Sequence, residues 1–282
     1  MALTKVLIAV KTYPTLASKY DELVCTAGFL EDGSWVRIYP IPFRKLDYDN
    51  QYKKYDWIEI ELKRNTSDFR PESYRPESLD KPPKIVGHIG TENYWQLRKG
   101  IVLRNVYTDL NKLINDAKDE KKYTSLAVFQ PAAIHDFIYE HVEREWDKNK
   151  LDKLKARALQ GKLFAKSENP FEVVRKLPYK FSFVFSDITG KERTLMIEDW
   201  ETGQLYWNCL QRHEGDEKKA CEDVRKRYFD DFSKTKDLYF YLGTTREFHC
   251  IAPNPFVIIG TFHPKKEDQV IPPKKEDQLK LF

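Results

Sequence analysis

The chain contains no run of eighteen consecutive apolar residues, so nothing in it offers the helix of roughly 20 residues that a hydrocarbon core demands. Its first apolar run, residues 6–10, is shorter than the apolar region of a secretory leader, and the expected compartment is the cytoplasm. Cysteine is scarce, and Cys25, Cys209, Cys221 and Cys250 stand far apart. The short paired spacings of a zinc site or a disulfide framework are missing, which leaves reduced thiols and no expected metal. No Gly-rich phosphate cradle, His-Glu-x-x-His or Gly-x-Ser-x-Gly pattern occurs, so no catalytic residue and no cofactor is assigned. Charge of neither sign dominates: 48 Lys and Arg face 44 Asp and Glu, for a formal net charge of +4. So mild an excess does not by itself point to a polyanionic partner.

What is abundant is aromatic. The chain carries 16 Tyr, 17 Phe and 6 Trp, or 14% of its residues. Rings in such number suit surfaces on which bases stack, and equally suit strands, whose pleated faces favour them.

The first third alternates strand-like runs with turn signals. Residues 5–11 are apolar and β-branched, residues 21–30 lead through Glu31-Asp32-Gly33-Ser34 into 35–39 as a hairpin, and 55–62 alternate apolar and charged side chains. That alternation is the pattern of a strand wet on one face. Residues 65–84, with prolines at 71, 76, 82 and 83, read as a long surface loop. Helical spacing follows over 93–99, 108–118 and 133–158, where Ile134, Phe137, Ile138 and Val142 make one stripe, and the charged run 143–157 is the solvated face. Strands resume near Phe171, with a hairpin from 179–185 through Asp187-Ile188-Thr189-Gly190 into 193–198, a helix over 221–232, and strands at 237–242 and 256–262.

This order predicts an α+β chain with two small, mainly antiparallel barrels joined by a helical segment. The expected divisions are a barrel-like domain over 1–107, a helical connector over 108–165, a β-rich domain over 166–264 and a tail over 265–282. The tail repeats Lys-Lys-Glu-Asp-Gln at 265–269 and 274–278 and is too polar to offset its own ordering entropy. A flexible tether is expected.

Two signals carry function. The tail closes on Gln278-Leu279-Lys280-Leu281-Phe282, which resembles the bacterial sliding-clamp-binding pentapeptide. In that family the Gln amide is held at a polar subsite while Leu and Phe fill an apolar pocket. The resemblance implies clamp contacts by Gln278, Leu279, Leu281 and Phe282, and burial of two such side chains is worth roughly 3–6 kcal/mol gross. Lys280 departs from the family pattern, which prefers a small or acidic residue there.

The second signal is the set Lys11-Thr12-Tyr13-Pro14, Cys25-Thr26-Ala27-Gly28 and the stretch 35–44, Trp-Val-Arg-Ile-Tyr-Pro-Ile-Pro-Phe-Arg. Over about the first 80 residues it resembles the dual OB-fold-containing proteins found near prokaryotic defence and DNA-processing genes. The resemblance implies OB-like barrels and a nucleic-acid-binding role. The residues themselves allow the same reading, since Lys11, Arg37 and Arg44 offer phosphate contacts while Tyr13, Tyr39 and Phe43 offer stacking faces. The alternative is burial: Trp35, Arg37 and Tyr39 share one strand face. A parallel group lies in the second half, where Thr244, Arg246 and His249 follow a glycine as in an anion-binding loop, or as in a hairpin with polar tips.

The expected partners are therefore nucleic acid, above all single-stranded, and the bacterial clamp, with no membrane. The competing readings are a pure protein-protein adaptor and a restriction-type nuclease. The nuclease would use Glu61 and Lys63 of Glu59-Ile60-Glu61-Leu62-Lys63 with metal ligands among Asp47, Asp49 and Asp56. A hydrolase built on Asp199, Glu201, His213 and His249 has no spacing that requires it.

Overall fold

In the computed structural model, residues 3–14, 24–149, 151–153, 156 and 174–266 are described. The first strand, β1 (Leu3–Lys11), is buried from Val6 onward, because it is covered on both faces. It pairs antiparallel with β2 (Val24–Phe29) on one side and with β4 (Asp56–Arg64) on the other. The β1–β2 approach is so close at Gly28 that a Cβ there would sit 2.1 Å from the Leu7 carbonyl oxygen. β3 (Trp35–Ile41) continues the hairpin through Gly33, whose φ of 83° suits a residue without a side chain.

The circle closes through β5 (Ser73–Pro76), parallel to β3 and antiparallel to β4. The order β1-β2-β3-β5-β4 with β1 paired to β4 is a closed five-stranded barrel, and β6 (Lys84–His88) adds to the far side of β4. Val6, Ile8, Ile38, Ile58 and Ile60 fill its interior. The expectation of a long loop over 65–84 is thus corrected. Two prolines and several charges hide a four-residue strand there, and its charges are satisfied inside: Arg70 pairs with Asp68 at 2.6 Å, and Ser73 donates to the same carboxylate at 2.9 Å.

Beyond the barrel come α1 (Glu92–Val102), β7 (Val106–Tyr107), α2 (Leu110–Lys118), β8 (Leu126–Phe129) and β9 (Ala133–His141). The helix expected from residue 133 is instead a strand. β9 pairs antiparallel with β10 (Tyr179–Ser186), and the register jumps from Asp136 opposite Val184 to Ile134 opposite Phe185. His135 is the extra residue of a bulge. A bulge puts residues three apart onto one face, so Ile134 and Phe137 mimic the spacing of a helix while lying in a sheet.

β10 turns at Gly190 into β11 (Glu192–Met196), forming the expected hairpin. Then follow α3 (Trp200–Arg212), α4 (Glu217–Arg225), a π-helical turn over Lys226–Ser233, β12 (Tyr239–Thr244) and β13 (Phe256–Phe262). Among the described residues, the strands after the barrel form a three-stranded sheet β11-β10-β9 and a four-stranded sheet β13-β12-β8-β7, linked by a single bridge between Ile197 and Ile258. No helix among the described residues is long and apolar enough to cross a membrane.

The barrel does not stand apart from these sheets. The outward side chains Leu7 and Ala9 of β1 share one core with Leu126 and Val128 of β8, Tyr241 of β12 and Ile259 and Phe262 of β13. Most of the aromatic excess goes inward, for Phe137, Phe181, Phe183, Phe185 and Phe240 fill the core of the second half.

Candidate functional site

Where the end of β1 meets the start of α3, backbone and side chains interlock. Thr12 bridges to Asp199, and the Tyr13 amide donates to the Glu198 carbonyl at 2.9 Å. Asp199 is the N-cap of α3, accepting from the Glu201 amide, which satisfies a helix-terminal donor. Its other oxygen accepts from the Lys54 ammonium at 2.9 Å, and Lys54 also donates to Glu201 at 2.8 Å. The Asp199 side chain is fully buried and Lys54 nearly so. Burial alone would lower the Lys54 ammonium, but the two carboxylates overcome it and hold the group above the ordinary lysine value. The same burial pushes the Asp199 carboxyl up, with Lys54 offsetting part of the rise.

On this ion pair rests a cleft of about 520 Å³ whose walls come from both halves. From the first half come Lys11, Lys53, Tyr55, His88, Trp95 and Arg98, and from the second come Trp200, Glu201, Gln204, Thr261 and His263. One wall is aromatic. Arg98 lies 3.8 Å from the Tyr55 ring centre and 4.7 Å from that of Trp95, while its Nε and Nη2 donate to the Ile89 carbonyl. Trp95 in turn packs against Phe262 and His263, at 5.3 and 5.4 Å between centroids. Burial drives the His263 imidazole down to about 3, so it stays neutral.

Trp95 enters this wall at a conformational cost. Asn93, Tyr94 and Trp95 have φ of 46°, 56° and 66°, a left-handed run that side chains seldom adopt, at roughly 1–3 kcal/mol per residue. Successive outliers of this kind persist where the surroundings over-determine them, and such places are often functional.

The opposite wall is cationic and aromatic together. Lys11 donates to the Tyr52 carbonyl at 3.1 Å, with its ammonium 4.4 Å from the Phe43 ring centre and 6.0 Å from that of Trp200. Desolvation lowers Lys11 to about 8, against the pull of Glu201 and Asp199. Lys53 stands exposed at the mouth. Lys11, Lys53, Lys54 and Arg98 thus line a space in which, among the described residues, Glu201 is the one lining carboxylate. Such a cleft favours a ligand with a flat ring and negative charge.

The residues expected from sequence fall into three groups. Lys11 lines the cleft, and Phe43 lies buried beneath it as a platform for the ammonium. Tyr39 and Arg44 are exposed on the barrel, and Arg246 on the loop after β12. The others are internal. Tyr13 is buried, its hydroxyl donating to the Arg175 carbonyl at 2.7 Å and accepting from the Trp207 indole at 2.8 Å. Gly203 makes room for that ring, since a Cβ there would lie 2.2 Å from it.

Arg37, Thr244 and His249 correct the expectation of phosphate contacts. Arg37 is 3% exposed and donates to the Ser125 hydroxyl at 2.7 Å and the Ser125 carbonyl at 3.0 Å. Arg70 donates to the Thr244 carbonyl. His249 is fully buried between the Ala117 carbonyl on Nε2 and the Thr244 hydroxyl on Nδ1. The carbonyl requires Nε2 to carry the proton, so Nδ1 accepts from Thr244. These side chains form a second joint between barrel and sheets, in which no anion is needed.

The nuclease residues do not converge. Glu61 pairs with Lys81 at 3.0 Å, Lys63 with Glu77 at 2.9 Å, and Asp56 with His88 at 2.7 Å. Of the hydrolase residues, Asp199 and Glu201 meet at Lys54, while His213 bonds Asp223 at 2.8 Å and His249 bonds Ala117 and Thr244. Among the described residues, no group of three His, Cys, Asp or Glu side chains is placed to hold a metal ion. The pentapeptide residues Gln278, Leu279, Leu281 and Phe282 lie outside the described residues.

Sequence reading missed Lys53, Lys54, Trp95, Arg98, Trp200 and His263. The one local signal available was Asp199 before Trp200-Glu201, an N-cap pattern that marks the start of α3.

Residues 2–104 match the family model described as Domain of unknown function (DUF8758), and residues 107–282 match Domain of unknown function (DUF8757). No curated protein matches the chain. The boundary between the two matches falls after α1, so the cleft draws its walls from both.

The buried Lys11 makes a measurable cost. Between about pH 8 and the ordinary lysine value of 10.5, the unfolded chain binds a proton that the folded chain does not, so this residue's contribution to stability rises with pH. Below that window the penalty is fully present. Lys11→Met is therefore expected to unfold at higher denaturant than the parent at pH 7, by about 1–3 kcal/mol, with the gain shrinking toward pH 10.5. Denaturation curves across that range check it, and a loss of stability at pH 7 contradicts the assignment.

Proposed function

We propose that this chain, which belongs to the family Domain of unknown function (DUF8757) through residues 107–282, is a nucleic-acid-binding accessory protein in DNA processing, repair or antiviral defence. The observation that carries the reading is the seam cleft, which combines half-buried indoles at Trp95 and Trp200 with the cations Lys11, Lys53 and Arg98. Proteins that hold single strands use this combination, with rings for the bases and cations for the backbone. The barrel supports the reading further. Small five-stranded barrels of the OB kind bind oligonucleotides through strand faces and adjoining loops, and the present strand order with its parallel β3–β5 closure fits that architecture. The second barrel implied by the dual-barrel resemblance would be built from the sheets joined at Ile197 and Ile258.

In this reading the surface contacts belong to Tyr39, Arg44 and Arg246, and the principal contacts to the cleft. The dispersal of Glu61, Lys63 and Asp56 into separate ion pairs favours binding over cleavage. Delivery to DNA is assigned to Gln278, Leu279, Leu281 and Phe282 on the pattern of the clamp pentapeptide. Two large apolar side chains buried there give weak docking once ordering costs are subtracted.

Two measurements test these roles. Labelled single- and double-stranded DNA and RNA, with and without magnesium, are expected to give a salt-sensitive complex with single strands and no cleavage. Trp95→Ala is expected to weaken that complex about 5- to 100-fold, the worth of one stacked base. Retention that is equal in the parent and in the variant, or magnesium-dependent cleavage, overturns the reading. Separately, calorimetry with a bacterial sliding clamp is expected to give micromolar binding that vanishes on deleting residues 278–282. Affinity unchanged by the deletion removes the docking role, and clamp binding without nucleic-acid affinity identifies an adaptor.

A further inference from the structure

We infer that the seam cleft is a pocket for a single nucleotide, holding one base against the indoles of Trp95 and Trp200 and its phosphate at Lys11 and Lys53. The inference rests on the nucleic-acid reading and specifies how much of the polymer enters. Three features carry it.

The first is size. A cleft of about 520 Å³ lies in the range of sites for one small organic ligand, and it opens to solvent, where the rest of a strand would continue. The second is the distribution of chemistry within it. The Trp95 indole is held in place by edge-on or tilted contacts with Tyr55, Phe262 and the neutral His263, with the Arg98 guanidinium 4.7 Å from its ring centre, so the wall offers a ring face beside a cation. The Lys11 wall holds an ammonium with a backbone carbonyl and ring faces as its neighbours, and no carboxylate within ion-pair distance among the described residues. Lys54 differs, because Asp199 and Glu201 neutralise it. A planar ring joined to an anion completes both walls at once, and neither a free phosphate nor a bare base does.

The third feature is the recognition edge. Glu201 and Gln204 stand three residues apart at the start of α3 and both line the cleft, so they share one helix face. Glu201 spends one oxygen on Lys54. Its other oxygen and the Gln204 amide are positioned to meet the hydrogen-bonding edge of a base. A base drawn from a strand into such a pocket is unstacked from its neighbours, which costs least for single strands. That requirement agrees with the preference for single strands proposed above.

The test uses the full-length chain and isothermal calorimetry at pH 7 with AMP, GMP, CMP and UMP, each set against adenosine and against inorganic phosphate. At least one mononucleotide is expected to bind at one site per chain, at least tenfold more tightly than adenosine or phosphate alone. Trp95→Ala and Lys11→Met are each expected to weaken it tenfold or more, with Trp95→Phe restoring most of the affinity. Circular dichroism confirms that each variant is folded, and Lys191→Ala, exposed on the turn before β11 and outside the cleft, is expected to leave the affinity unchanged.

Two results overturn the inference. One is the absence of saturable mononucleotide binding in a protein that still retains a nine-nucleotide strand, which sinks the pocket and leaves the nucleic-acid reading standing. The other is mononucleotide binding that neither Trp95→Ala nor Lys11→Met weakens. If neither mononucleotide nor strand binds, both readings fall together.

Discussion

The buried ammonium of Lys54, held between Asp199 and Glu201, is the constraint on which the site depends. It joins the loop that leads into β4 to the start of α3. Taking these charges out of water costs several kcal/mol per ion, so the pair is weak evidence for net stability. Its effect is on geometry. An ammonium with two carboxylate partners fixes the angle between barrel and helix, and breaking such a contact leaves an uncompensated charge. Because the cleft lies directly on this contact, the engaged Lys54 helps to set the separation of its two walls.

A second joint, on Arg37 and Arg70 with Ser125 and Thr244, uses up basic side chains that would otherwise be free for an anion. Barrel and sheets are then tied at two places and share the core around Leu7, Tyr241 and Phe262. The seam keeps Lys11, Lys53 and Arg98 beside its rings, in addition to the cations of the outer surface. The molecule bears two further costs at the seam: the left-handed run Asn93 to Trp95 and the desolvated Lys11. Neither is needed to build a barrel, and Trp95 at the end of that run faces the same space as Lys11, which is why a ligand is the economical explanation for them.

Much of the fold was legible where the signal was local. The hairpin at Gly33, the alternation of β4 and the hairpin at Gly190 follow from turn chemistry and strand period. The reading of residues 133–141 went astray because a bulge at His135 reproduces the three-residue spacing of a helix. The strand Ser73–Pro76 was hidden because its polar neighbours are satisfied by one another inside the molecule. The site was less legible than the fold. Lys11 was found because it ends an apolar strand, but Arg37, Thr244 and His249 look like ligand residues in sequence and serve as internal bonds. Trp95, Arg98 and Trp200 lie in segments more than 80 residues from Lys11, and only the closure of barrel on sheets brings them together.

Photochemical crosslinking of a single strand carrying 4-thiouridine, followed by mass spectrometry of the adducted peptides, reports where a strand lies on the protein. If the seam cleft holds it, adducts form on the peptides that carry Trp95 and Trp200 and are competed by unmodified strand. Adducts confined to the outer surface around Arg44 or Arg246, with none at the seam, would contradict that placement.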